Sequence, residues 1–271
     1  MRQRYLNTDL WSALRRAINS SALLVPFLVV AATAGCSASP VTLGEMHYVA
    51  APVVTAPQPT ATTPNGACPG SLRTVRTGND IYGAWWEVRD DSSAVLMAGR
   101  SVDAGKSWGI VQPADTLDRS RRGCARPAPA IDADSSTNYV DFAYFLEAAE
   151  GPGVFFTHSM DARKLGTGDG VFHSPVPVVY GPKPSIVSLA ARGDRVAVAY
   201  EDPNGDRSMV GLALSRTMGH IFEQRLLVSQ ADLPASDPVL EMRGDSVKVQ
   251  WLERADTASS GGRYAVRTAT W

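Results

Sequence analysis

The eight residues SVDAGKSW put a hydroxyl (Ser101), a carboxylate (Asp103), a permissive backbone position (Gly105) and an indole (Trp108) into one short stretch. Two chemistries fit that set. Asp103 could act as the acid or base of a site, or it could close a turn. In a turn, serine and aspartate oxygens accept backbone N–H bonds, glycine takes the tight conformation and the aromatic packs back on its own sheet. The second account needs no substrate and is the reading adopted. Metal contact and catalysis by Asp103 are the alternatives.

A more regular set follows the aromatic residues Trp85, Tyr144, Tyr200 and Trp251. Glu87, Glu147, Glu201 and Glu253 lie one to three positions beyond them, joined by Asp90, Asp91, Glu150, Asp202 and Asp256. Carboxylates recurring at one place in a repeat would form an acidic ring able to meet a basic protein or a glycan surface. The same residues could simply be solvated strand ends, or oxygen ligands for calcium, although no EF-hand spacing is present.

Arg119, Arg121, Arg122 and Arg126 bracket Cys124 in a run that reads as a solvated loop or as an anion or partner contact. Tyr180 and Tyr200 are further aromatics within reach of such chemistry. His47, His158, His173 and His220 fall in separate turns or strands, and His158 with Met160 is the nearest approach to a soft metal site. No metal, cofactor or catalytic residue is assigned. GxSxG, HExxH, GxxxxGK[ST], CxxC and CxxCH do not occur.

The elements that must position these groups are strands. From Ser71 onward, short alternating apolar runs are separated by Gly, Asp, Asn and Ser, without helical spacing. SLRTVRTGNDIYGAWW, SIVSLAARGDRVAVAY and SDPVLEMRGDSVKVQW each read as strand, glycine turn and strand ending in an aromatic; PAIDADSSTNYVDFAY is a looser copy. The aromatic ends are spaced by 59, 56 and 51 residues. That period predicts an all-β domain, a β-propeller of about four four-stranded blades, over a β-sandwich, which needs no such echo. The units are 71–122, 125–181, 183–231 and 236–271, and the last stops after three strands. VTLGEMHYV, residues 41–49, could supply the missing edge; an incomplete ring would otherwise call for a second copy or another partner.

SVDAGKSW matches the SxDxGxxW Asp box, so this region resembles the sialidase-like (BNR-repeat) and related glycan-processing propellers. SMDARKLG and SRTMGHIF stand as worn copies at Ser159 and Ser215. The resemblance implies a propeller and leaves open a sialidase-like glycosidase. Against that activity, four units fall short of the six of those enzymes, and no arginine-containing FRIP-type motif precedes the first box.

Residues 1–35 read as a signal peptide, with Arg2, Arg4, Arg15 and Arg16 ahead of the apolar run ALLVPFLVVAA. TAGC at 33–36 resembles the lipobox of bacterial lipoproteins, which implies lipidation of Cys36 and, with Ser37, the outer membrane of a bacterial envelope, facing the periplasm or the exterior. Secretion with cleavage nearby and an uncleaved anchor are the alternatives. Residues 36–70 then read as a lipid-anchored tether whose Pro/Thr-rich stretch, 50–66, is extended and solvated, and 71–271 as the propeller domain. Cys68 and Cys124 remain as an even pair, joined in an oxidising compartment or present as two buried thiols. Removal of 1–35 leaves 22 basic and 26 acidic residues, so nucleic acid has no electrostatic claim on the chain. The reading is an exported lipoprotein whose loop face binds an envelope protein or glycan without catalysis; a glycan-processing enzyme is the alternative.

Overall fold

The structure, a computed structural model, describes residues 40–52, 58–165, 167–168, 172–254 and 262–271. The expected signal peptide, Cys36 and Asp256 lie outside the described residues.

Two short strands, β1 (Thr42–Leu43) and β2 (His47–Val49), precede four sheets. Blade 1 contains β3 (Arg73–Thr77), β4 (Asp80–Val88), β5 (Ala94–Ser101) and β6 (Gln112–Asp115). Blade 2 contains β7 (Ala130–Asp134), β8 (Tyr139–Ala148), β9 (Gly151–Ser159) and β10 (Val176–Tyr180). Blade 3 contains β11 (Val187–Arg192), β12 (Arg195–Glu201), β13 (Val210–Ser215) and β14 (Gln224–Leu227). Blade 4 has β15 (Ala235–Arg243), β16 (Ser246–Arg254) and β17 (Gly262–Thr270). Strands pair antiparallel with their sequence neighbours throughout, so the chain is an all-β, four-bladed propeller. Its missing outer edge is supplied from the N-terminus: Thr42 and Leu43 pair with Thr270 and Ala269, and His47 to Val49 pair with Val266 to Tyr264.

Alternation along each strand explains why the blades must stack. Tyr82, Ala84 and Trp86 point into one apolar cluster with Phe142 and Tyr144 of blade 2, while Ile81 and Trp85, of opposite parity, are buried on the other side. A second cluster joins Phe145 and Phe156 to Val198 and Phe222 between blades 2 and 3. A third joins Leu212 and Leu214 to Trp251 and Trp271, with Val41, Leu43 and Met46 packed against it. Among the described residues no fourth apolar cluster joins blade 4 to blade 1.

The Pro/Thr-rich segment departs in part from the tether expected of it. Over residues 58–68 it follows blade 1: Thr74 Oγ1 donates to the Pro59 carbonyl at 2.7 Å, Thr62 N–H to Gly105 at 2.8 Å and Cys68 N–H to Trp86 at 2.8 Å. Composition predicted extension there. Thr62 and Cys68 nevertheless find backbone partners on blade 1, which pin the segment to the sheet. Cys68 and Cys124 form a disulfide with Cα atoms 5.4 Å apart, fastening that segment to the loop after blade 1.

Candidate functional site

The SVDAGKSW turn closes on itself. Ser101 is fully buried at the end of β5; its hydroxyl donates to Asp103 Oδ1 at 2.8 Å and accepts the Gly105 N–H at 2.8 Å. Asp103 also accepts the Ser107 hydroxyl at 2.5 Å and the Ser107 N–H at 3.0 Å. Those bonds, the Ser107 hydroxyl first, hold its carboxyl well below the usual carboxylate range. Trp108 donates its indole N–H to Thr62 at 2.7 Å and lies 5.5 Å from Trp85. It crosses Gly83 so closely that a Cβ there would meet the ring at 2.4 Å.

Blade 3 keeps the geometry with different atoms. Ser215 Oγ accepts the N–H groups of Thr217 and Gly219 at 3.1 Å each, Thr217 Oγ1 accepts that of Ile221 at 3.0 Å, and the ring of Phe222 is buried. In blade 2, Asp161 instead opens a 3-10 turn, Ala162–Lys164, and pairs with Arg163 at 2.8 Å. Replacing Ser101 by alanine leaves the buried Gly105 N–H without its acceptor. The substitution is expected to cost about 1–2 kcal/mol in a urea unfolding titration, without touching the cavity chemistry described below.

The four glutamates do not present a free acidic ring. Glu253 is almost wholly buried and accepts the Trp251 indole at 2.9 Å and the Tyr48 hydroxyl at 3.0 Å. Glu87 accepts the Trp85 indole at 2.9 Å, the same i to i+2 contact in blade 1. Glu147 pairs with Arg122 at 2.5 Å, and Glu201, its carboxyl raised by burial, accepts the Asp237 N–H at 3.0 Å. Their regular spacing reflects a recurring structural contact as much as a shared face. The arginine run is likewise divided. Arg126 is buried, 3.0 Å from Asp118 and stacked over Trp86, while Arg122 serves Glu147.

The axis is different. A cavity of about 570 Å³ is lined by the innermost strands β3, β7, β11 and β15, with Gln58 and Pro59 at its side. Arg73 and Arg76 enter it from blade 1 and Asp132 from blade 2. Arg73 is spent on the Gly70 and Leu72 carbonyls at 2.8 and 3.0 Å, whereas Arg76 is exposed. Asp132 accepts the Ala191 and Ala133 N–H groups at 2.8 Å each; burial nonetheless dominates and raises its carboxyl pKa above the ordinary value.

Asp132 begins a row of ionisable groups across blade 2. It pairs in register with Asp141 on β8, and Asp141 with His158 on β9. Asp141 is buried, and burial, followed by the charges of Asp132 and Asp134, raises its carboxyl far above the ordinary range. His158 is 1% exposed, with Nδ1 3.8 Å from Asp141. Neither ring nitrogen has a hydrogen-bond partner of good geometry, and burial with His173 and His220 nearby lowers its pKa to about 4, the Met218 backbone being a weak opposing influence. The histidines expected in separate elements therefore converge: the donor atoms of His158, His173 and His220 all lie within 4.8 Å of one another. His47 is elsewhere, on the exposed β2.

No protein-family model matches the chain, and no curated protein matches it. Among solved structures, the catalytic domain of a Coprinopsis cinerea GH62 alpha-L-arabinofuranosidase matches at 10% identity and TM-score 0.46, over 78% of this chain and 67% of that one. Trypanosoma rangeli sialidase in complex with the inhibitor DANA matches at 14% identity and TM-score 0.44, over 69% and 36%. The xylan beta-1,4-xylosidase of Bacillus halodurans C-125 matches at 11% identity and TM-score 0.43, over 75% and 41%. The chain thus spans less than half the length of the latter two. The expectation of a non-catalytic module reading its partner through an acidic ring is corrected here. These three structures are named as glycosidases; what removes the acidic ring as a free face is that its carboxylates are committed within the chain. The protein is a four-bladed propeller with Arg76 and Asp132 among the residues lining its axial cavity and three histidines brought together at the seam of blades 2 and 3.

Proposed function

We propose that the domain is a glycan-processing propeller that takes an acidic sugar into its axial cavity. One observation carries the reading: an exposed cation, Arg76, and a carboxyl disposed to hold its proton, Asp132, line the same cavity. Arg76 would grip a sugar carboxylate, for which a guanidinium fork is suited, and Asp132 would donate its proton to the glycosidic oxygen as that C–O bond breaks, water adding to the anomeric carbon and its released proton restoring the acid. Glycosidases of the common types add a second carboxylate across the scissile bond. Asp132 is the cavity's one carboxyl among the described lining residues, so no nucleophile is assigned.

Ser101, Asp103, Gly105 and Trp108 belong in this reading to an Asp box that shapes the blade. Export by residues 1–35 and lipidation of Cys36 would place the domain at the bacterial envelope, where an envelope glycan is the substrate within reach.

Asp132→Asn should lower kcat/KM on sialylated or uronic-acid oligosaccharides by about 100-fold or more, the contribution usual for a general acid. Because the acid form is the active one and its pKa is raised, wild-type activity should be present at low pH and fall as pH rises through that pKa. Absence of turnover across a panel of acidic and neutral glycans, or unchanged activity in the variant, overturns the proposal.

A further inference from the structure

We propose that His158, His173 and His220 form a binding site for a zinc-class divalent cation at the seam between blades 2 and 3. The three residues come from different pieces of chain. His158 is next to last in β9, His173 lies just before β10, and His220 sits in the turn after β13 of the next blade. Each is held by its backbone. His173 N–H donates to the His158 carbonyl at 3.0 Å, and the Thr157 hydroxyl donates to the His173 carbonyl at 2.6 Å. The turn carrying His220 is fixed by its own N–H to Thr217 at 3.0 Å and by the bond from Gly219 to the buried Ser215. The rings meet edge to face, with centroids 4.5 to 5.1 Å apart.

Packing alone is a poor account of this arrangement. His158 is buried against Phe156 and Tyr139 with neither nitrogen in a hydrogen bond of good geometry and only a weak contact to the Met218 backbone, an unusual state for a polar side chain so deeply enclosed. An ion accepting one of those nitrogens removes the anomaly. Nδ1 stands 3.8 Å from Asp141, too far for a hydrogen bond, so neither nitrogen is committed to that carboxyl and one can serve the ion while the other finds an acceptor, as in many ligating histidines. Tetrahedral zinc with bonds of about 2.0–2.1 Å separates its nitrogens by roughly 3.3 Å. The present separations, all within 4.8 Å, close to that by side-chain rotation.

The donor set selects the metal. Three imidazoles with neither thiolate nor a directly ligating carboxylate suit zinc, copper or nickel, and are poor partners for calcium or magnesium. His173 and His220 are exposed, so the fourth position opens to solvent and would be filled by water or an exogenous ligand, as where zinc has three protein ligands. Because two ligands belong to blade 2 and one to blade 3, the ion would also clasp the seam.

Untagged protein, stripped with EDTA and titrated with zinc chloride in a calorimeter, should bind one ion per chain at micromolar or tighter affinity. It should also gain several degrees of Tm in excess zinc. His173→Ala/His220→Ala should lose at least about 100-fold in affinity while keeping the metal-free Tm, since both side chains are exposed, and His47→Ala should bind as wild type. If the double variant does not fold, X-ray absorption of the zinc-loaded wild type decides, with three imidazole shells expected. No stoichiometric zinc binding, equal binding by the double variant, or fewer than three imidazoles overturns the site.

Discussion

Deleting residues 40–49 is expected to remove most of the stability of the domain and to drive it into aggregates. These ten residues are the outer edge of blade 4, far in sequence from the strand they complete. Without them β17 loses its pairing at Tyr264–Val266 and Ala269–Thr270 and the Gly44 bond to Thr268, which opens its outer edge to pairing with another chain. Val41, Leu43 and Met46 no longer cover the cluster containing Trp251 and Trp271. At roughly 1–2 kcal/mol for each such partly buried apolar side chain, about 4 kcal/mol is lost from packing. Glu253 loses its Tyr48 donor and Arg263 loses the Tyr48 ring beneath it, 3.8 Å from the guanidinium. About 1 kcal/mol or more follows from those contacts. A loss of about 5 kcal/mol is comparable to the whole stability of an ordinary domain. The urea midpoint and light scattering of the truncated protein measure the effect, and retention of the full-length midpoint would mean that blade 4 is complete without its N-terminal edge. Tyr48→Phe isolates the hydroxyl and should cost about 1 kcal/mol.

The architecture was legible because it is periodic. Strand alternation and aromatic ends at a 51–59-residue spacing are local signals repeated four times, with a glycine turn in three of the units, and the apolar alternation of residues 41–49 marked the strand that fills the gap. Contacts that cross between repeats carry no such signal. Glu87 and Glu253 occupy equivalent strand ends and look like a ring, yet each is the acceptor for a tryptophan two residues earlier. The spacing Trp-x-Glu, present in both WWE and WLE, was the available clue. Thr62 and Cys68 belong to a stretch whose composition reads as a tether, because composition does not record which N–H groups find partners on a nearby sheet.

The histidines were hidden for the same reason. Positions 158, 173 and 220 have no metal-ligand spacing along the chain, since strand end, connector and neighbouring turn are assembled only by stacking blade 2 on blade 3. Repeat register does carry a trace of the site: His158 immediately precedes Ser159, and His220 lies within the turn opened by Ser215, so both flank equivalent turns in consecutive blades. Asp132, by contrast, has no sequence signature. Its altered acidity comes from enclosure at the axis, a property of four strands together.

Gly219→Ala should be the most costly single-methyl change on the turn face, at about 3 kcal/mol. Two separate terms contribute. Gly219 has φ +80°, where an L side chain costs roughly 1–2 kcal/mol. The added Cβ would also stand 2.0 Å from Phe156 Cε1. Phe156 cannot simply swing aside, since it is 1% exposed and held edge-on by Phe222 and His158 at 5.6 Å each. Relief must come from movement of blade 3 against blade 2, an overpacking cost of about 1–3 kcal/mol. Gly193→Ala supplies the comparison: at φ +58° with nothing within 4 Å of its Cβ, it should pay the backbone term alone, about 1 kcal/mol. Equal losses for the two variants would show that the Phe156 contact yields without cost. The packing term can be isolated further with Phe156→Leu, which removes the ring the new methyl meets. In that background Gly219→Ala should cost about 1 kcal/mol less than in wild type, a coupling that urea denaturation of the four proteins resolves. Additive losses would place the strain in the turn itself, and the seam between blades 2 and 3 would then be softer than its buried aromatic contacts require.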